Sequence, residues 1–178
     1  SKCSRANPGG SITEWQLAES RVDDAGGAHL SFQLPAAAIL PLWKTGVQIR
    51  YDVQVGGELR LSLRVTNGST DPIHFEEALH TYLAVSDVRQ VSIEGLAGAR
   101  YQDRLAPDQE WTQVPEPIRI AAETDRIYGP TRAACIVHDP GWNRRLVVEK
   151  SGSDSTVVWN PWIAKAQAMA DFGDDEWP

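Results

Sequence analysis

The stretch Glu76-Glu77-Ala78-Leu79-His80-Thr81-Tyr82-Leu83-Ala84-Val85 sets a histidine among apolar neighbours. An imidazole titrates near neutrality, so it can give or take a proton at working pH. Period-two alternation puts Leu79, Thr81, Leu83 and Val85 on one face of a strand and Ala78, His80, Tyr82 and Ala84 on the other. The imidazole of His80 and the phenol of Tyr82 then share a face, in a strand too apolar to lie on the surface. Two readings stand: a core histidine bonded to a carbonyl, or an acid/base group.

Asp125 is the second residue of interest, because Thr-Asp-Arg-Ile-Tyr sets a carboxylate in a strand-like run. Pairing with Arg126 or a turn cap is the structural alternative. Trp159-Asn160-Pro161-Trp162 reads as a strand end turning into a helix start, with Asn160 as a cap and a tryptophan lining a cleft. His74 reads as surface, and His138-Asp139-Pro140 as a loop. No GxSxG elbow, HExxH, P-loop or dinucleotide fingerprint occurs. Cys3 and Cys135 have no metal-ligand spacing, so no zinc site or other metal is expected. A disulfide between them stays open, and two cysteines fit a reduced, cytoplasmic protein better.

Seven tryptophans are the unusual part of the composition. Their flat apolar rings suit the C–H face of a sugar, although core filling explains most of them. The 178 residues carry a net charge of −7, against the basic footprint of a nucleic-acid binder. An anionic ligand must therefore be held by local arginines. No apolar run reaches membrane-span length, and no leader-like segment opens the chain.

Short alternating runs must position these residues. Trp15 and Leu17 mark one strand; Leu30, Phe32 and Leu34 mark another, closed by Pro35. Ala36–Trp43 is either a helical turn or an irregular loop. Tyr51–Val55 and Glu58–Val65 alternate around Gly56-Gly57, which predicts a hairpin with a two-residue primed turn. Further strands follow at Val91–Ile93, Trp111–Val114, Thr124–Tyr128 and Cys135–Val137. Leu146–Val148 and Thr156–Trp159 predict a second hairpin through Ser151–Asp154. Ala164–Phe172 alone reads as helix. The pattern predicts one all-β domain over 1–178, a sandwich or barrel.

Ala-Leu-His-Thr-Tyr-Leu-Ala-Val with Ser-Asp-Val-Arg-Gln-Val-Ser-Ile-Glu-Gly-Leu resembles the glucose-6-phosphate 1-epimerases (hexose-6-phosphate mutarotases) of the aldose 1-epimerase superfamily. The likeness continues through Thr124–Tyr128, Val158–Pro161 and Ala170–Asp175, over roughly residues 12–176. It implies a galactose-mutarotase-like antiparallel β-sandwich, here without some N- and C-terminal strands. It also implies reversible interconversion of the anomers of a hexose 6-phosphate, with no cofactor. By this resemblance His80 is the general acid and Asp125 holds sugar hydroxyls; Tyr82, on the face of His80, and Trp159, at the strand end, join them as candidate sugar-binding residues. The base is a glutamate expected in a strand beyond Pro178. The family's phosphate arginines precede the residues seen here; Arg5 lies near one, but its surroundings do not match the motif. The chain reads as the central-to-C-terminal piece of such an enzyme.

Three functions compete: the epimerase, a non-catalytic carbohydrate-binding module or inactive fragment, and a piece that self-associates through unpaired strand edges. A small sugar or sugar phosphate is the expected partner, with neither nucleic acid nor membrane.

Overall fold

A computed structural model describes residues 13–39 and 46–169. Cys3, Trp43, Trp177 and the acidic C-terminal residues lie outside them. The chain forms two compact units, Ser1–Tyr82 and Leu83–Pro178. Among the described residues strands dominate both, and every ladder is antiparallel.

In the first unit β1 (Gln16–Val22), β2 (Ala28–Gln33), β3 (Val47–Val55) and β4 (Leu59–Asn67) form a sheet in chain order. The Asp23 carboxylate organises the β1–β2 turn by accepting from the amides of Ala25 and Gly27, at 3.0 and 2.7 Å. The helical-turn alternative holds for Ala36–Ile39, which forms α1. The β3–β4 hairpin is present, but its turn has three residues, Gly56-Gly57-Glu58, rather than two. Pairing Val55 with Leu59 sets Val53 opposite Leu61 and Tyr51 opposite Leu63. A two-residue turn would pair Val55 with Glu58 and mix the apolar and charged faces, so the side-chain pattern decides the register.

The segment from Pro72 to Val85 differs more from expectation. It belongs to no ladder among the described residues, and His80 is exposed. The alternation survives at its end: Leu83 and Val85 are half-buried against the second unit's core, whereas Tyr82 and Ala84 are exposed. Side-chain alternation is therefore legible here without a paired backbone.

The second unit contains β5 (Ser92–Glu94), β6 (Arg100–Asp103), β7 (Ala106–Thr112), β8 (Thr124–Tyr128), β9 (Cys135–Asp139), β10 (Arg144–Val148) and β11 (Thr156–Asn160). Helix α2 (Trp162–Ala168) follows, starting two residues earlier than expected. One sheet runs β10-β9-β5 and the other β11-β8-β6-β7. The hairpin expected between β10 and β11 does not form, because the two strands pair with β9 and β8 in different sheets. The connection between them is held on the residues after β8 instead. The Lys150 ammonium donates to the carbonyls of Thr131 and Ser155, and Arg132 pairs with Asp154. Strand β6 carries too little apolar alternation to be foreseen.

Between these sheets' elements lies the main core, including Val91, Leu96, Ile118, Tyr128 and Val137. Each fully buried aliphatic side chain contributes about 1.5–3 kcal/mol. Gly95 ends β5 at φ 104°, and a Cβ there would overlap the Ala134 carbonyl oxygen. Only glycine lets the chain pass so close to β9 in that conformation.

Candidate functional site

The β8–β11 ladder pairs Thr124 with Asn160, Asp125 with Trp159, Arg126 with Val158, Ile127 with Val157 and Tyr128 with Thr156. Directly opposed residues of a ladder share a face, so the pairs alternate between two sides of the sheet. Thr124, Tyr128 and Val158 are buried and define the core side. The Tyr128 hydroxyl donates to Gln113 Oε1 at 2.8 Å, and burial pushes its phenol pKa upward. Asp125, Ile127, Val157 and Trp159 lie on the other side, where Val157 is exposed. This more open face carries two of the sequence-predicted site residues as direct neighbours.

The Asp125 side chain is 18% exposed, and its Oδ2 lies 3.9 Å from Arg104 Nε. The turn that follows β6 is tied to the same residue, since the Arg104 amide donates to the Asp125 carbonyl at 2.8 Å. The anticipated Arg126 pairing is not made: Arg126 Nε faces Asp103 at 3.5 Å, and its guanidinium stands 5.1 Å from the Tyr101 ring centroid. Strand alternation explains this, because neighbouring residues point to opposite faces. A carboxylate beside an indole can accept hydrogen bonds from hydroxyls while the ring covers apolar C–H surface. Asn160 Oδ1 accepts from the Trp162 amide at 2.9 Å, but the helix N-cap is Pro161, so the expected Asn160 cap is instead a turn bond one residue ahead of it. Trp162 packs against the core, so of these two tryptophans only Trp159 shares the face of Asp125.

His80 and Tyr82 belong to the first unit and share the exposed segment described above; Tyr82 is 56% exposed. His74 is exposed as expected. His138 and Asp139 are not loop residues but end β9, with His138 Nε2 3.2 Å from Glu94 Oε2. Asp139 is fully buried. Its signal was parity, because it continues the buried side of Cys135 and Val137. Cys135 is a buried free thiol whose pKa burial pushes upward. Among the described residues no group of acidic, histidine and cysteine side chains could hold a metal. No described helix is long and apolar enough to cross a membrane.

The sequence profile of the family described as aldose 1-epimerase matches residues 6–178. A protein of Cenchrus ciliaris, provisionally named a glucose-6-phosphate 1-epimerase, is 38% identical over 149 residues, covering 80% of this chain and 45% of its own. An Escherichia coli K12 protein with the same provisional name is 28% identical over 162 residues, 90% of this chain and 53% of its own. A solved Salmonella typhimurium structure, provisionally described as a mutarotase, superposes with a TM-score of 0.75 at 28% identity, over 90% of this chain and 53% of that one. The chain thus spans about half the length of the curated relatives it matches. The antiparallel ladders and this superposition establish the all-β fold expected from the strand pattern and the mutarotase-like architecture that the resemblance implied. With its profile matched over nearly the whole length, the chain belongs to the aldose 1-epimerase family.

Proposed function

We propose that this chain is the part of a hexose-6-phosphate 1-epimerase that carries the general acid and the sugar-holding carboxylate. The pairing of Asp125 with Trp159 on an open sheet face carries the reading. The names of its relatives support glucose 6-phosphate as substrate. Asp125 accepts hydrogen bonds from sugar hydroxyls, while Trp159 and Tyr82 offer flat surface to the ring. His80 protonates the ring oxygen as a base takes the proton of the anomeric hydroxyl. The bond from C1 to the ring oxygen breaks and an aldehyde forms. Rotation about C1–C2 and the reverse proton transfers close the other anomer. The resemblance assigns the base to a glutamate after Pro178.

A purely sugar-binding role is the second reading, favoured by His80 lying outside any ladder among the described residues. A reduced, cytoplasmic setting is part of the proposal, supported by the free thiol of Cys135, and so is a single domain over 1–178. Self-association through the exposed edge strand β1 is also proposed, and sedimentation of the purified chain tests it. Magnetisation-exchange NMR with glucose 6-phosphate and with glucose, on the whole protein that includes the glutamate after Pro178, tests the main reading. Faster anomer exchange for the phosphate supports it. Binding without exchange favours the second reading.

A further inference from the structure

Asp103 and Asp125 stand at the same end of the β6–β8 ladder, on opposite faces of the sheet. The Asp103 side chain is 20% exposed; it faces Arg126 and accepts from the Leu105 amide at 3.0 Å. Asp52 and Asp139 have donors as well, the Ser31 hydroxyl at 2.6 Å and Arg144 Nε at 3.0 Å. The Asp125 carboxylate is as well covered, 18% exposed, yet it accepts no hydrogen bond from another described residue. A carboxylate taken this far from water is costly without donors, so Asp125 is built to receive them from a ligand.

Arg104 does not supply the bond. Its Nε stands 3.9 Å from Asp125 Oδ2, beyond hydrogen-bond reach, on a side chain 65% exposed. The guanidinium donates to no other described residue either. Its backbone is nevertheless fixed, because the Arg104 amide donates to the Asp125 carbonyl at 2.8 Å and the Leu105 amide closes the turn on Asp103. A held turn thus sets a group that only donates beside one that only accepts, on the face that Asp125 shares with Trp159. A hydroxyl both donates and accepts. Two neighbouring ring hydroxyls match the pair, one donating to Asp125 and the next accepting from Arg104.

We propose that Arg104 is a second sugar-holding residue, donating to the ring hydroxyl next to the one that Asp125 binds, so that the two together read a vicinal diol of the hexose. This rests on the sugar-holding role proposed for Asp125. Arg104→Met in the whole epimerase tests it, since methionine removes the donors and leaves the amide that ties the turn. Titrations followed by chemical shift use glucose, glucose 6-phosphate and the 2-deoxy, 3-deoxy and 4-deoxy forms of the phosphate. The variant should bind glucose and glucose 6-phosphate about tenfold more weakly, at an unchanged thermal midpoint. One deoxy sugar should bind the native protein about tenfold more weakly than the parent sugar but the variant equally well, because the lost hydroxyl and the lost donor are partners. A deoxy sugar lacking the adjacent hydroxyl should still lose affinity for the variant. Equal losses for native and variant with every deoxy sugar overturn the proposal. So does a loss confined to glucose 6-phosphate, which puts Arg104 on the phosphate. If Asp125→Ala weakens binding while Arg104→Met does not, the Arg104 role falls alone; if Asp125→Ala binds as the native protein does, the sugar-holding reading falls with it.

Discussion

Asp125 and Trp159 stand directly opposite one another on adjacent antiparallel strands, on the face of the sheet turned away from the buried Tyr128. They lie 34 positions apart in the chain, and the ladder makes them neighbours. A charged hydrogen bond is worth about 1.5–3 kcal/mol, or roughly ten- to hundredfold in affinity. Asp125→Ala should therefore weaken glucose 6-phosphate binding about tenfold or more, with little change in thermal midpoint. Trp159→Phe, which keeps a flat ring, should weaken it less. Titration followed by chemical shift checks both.

The acid side of stability depends on Asp139. Burial works against its ionised form, but hydrogen bonds from Ser86 and Arg144 outweigh it and hold the carboxyl below its ordinary value. A carboxyl of the unfolded chain titrates near about 3.9. With the folded value lower, the contribution is complete above about pH 5 and is lost as pH falls through the folded value. Urea midpoints measured on the way into acid should fall more steeply for the native chain than for Asp139→Asn. Parallel curves contradict this.

Tyr128→Phe removes the donor to Gln113 Oε1 inside the core. The abandoned acceptor costs about 1–3 kcal/mol. Equilibrium unfolding should show that loss while the ladder amides of β8 and β11 keep their protection.

Gly95→Ala places a Cβ against the Ala134 carbonyl and strains a residue at φ 104°. Backbone strain alone costs about 1–3 kcal/mol, and the overlap adds to it. The substitution should lower the thermal midpoint sharply; an unchanged midpoint contradicts the close approach of β5 and β9.

Alternation is a local property, so it was readable wherever a strand has one wet and one dry face. The β3–β4 hairpin, β8 and β9 all show it. Partner choice is not local, and the sequence misled where it depended on that. Leu146–Val148 and Thr156–Trp159 look like two arms of a hairpin, yet each pairs with an earlier strand. The His80 segment carries a strand's pattern without a ladder among the described residues. The motif residues Asp125 and Trp159 were legible one by one; only the register makes them a pair. Asp139 was hidden by the Pro-Gly that follows it, which reads as a loop although the strand's buried parity runs through it.

The measurement that bears most directly on the account is anomer exchange of glucose 6-phosphate, followed by NMR with the whole epimerase of which this chain is proposed to be part and with its His80→Ala variant. A positioned general acid contributes about 10²- to 10⁴-fold. The account predicts exchange well above the spontaneous rate for the whole epimerase, lost by about that factor in the variant while sugar binding persists. Equal rates for the two proteins would contradict it.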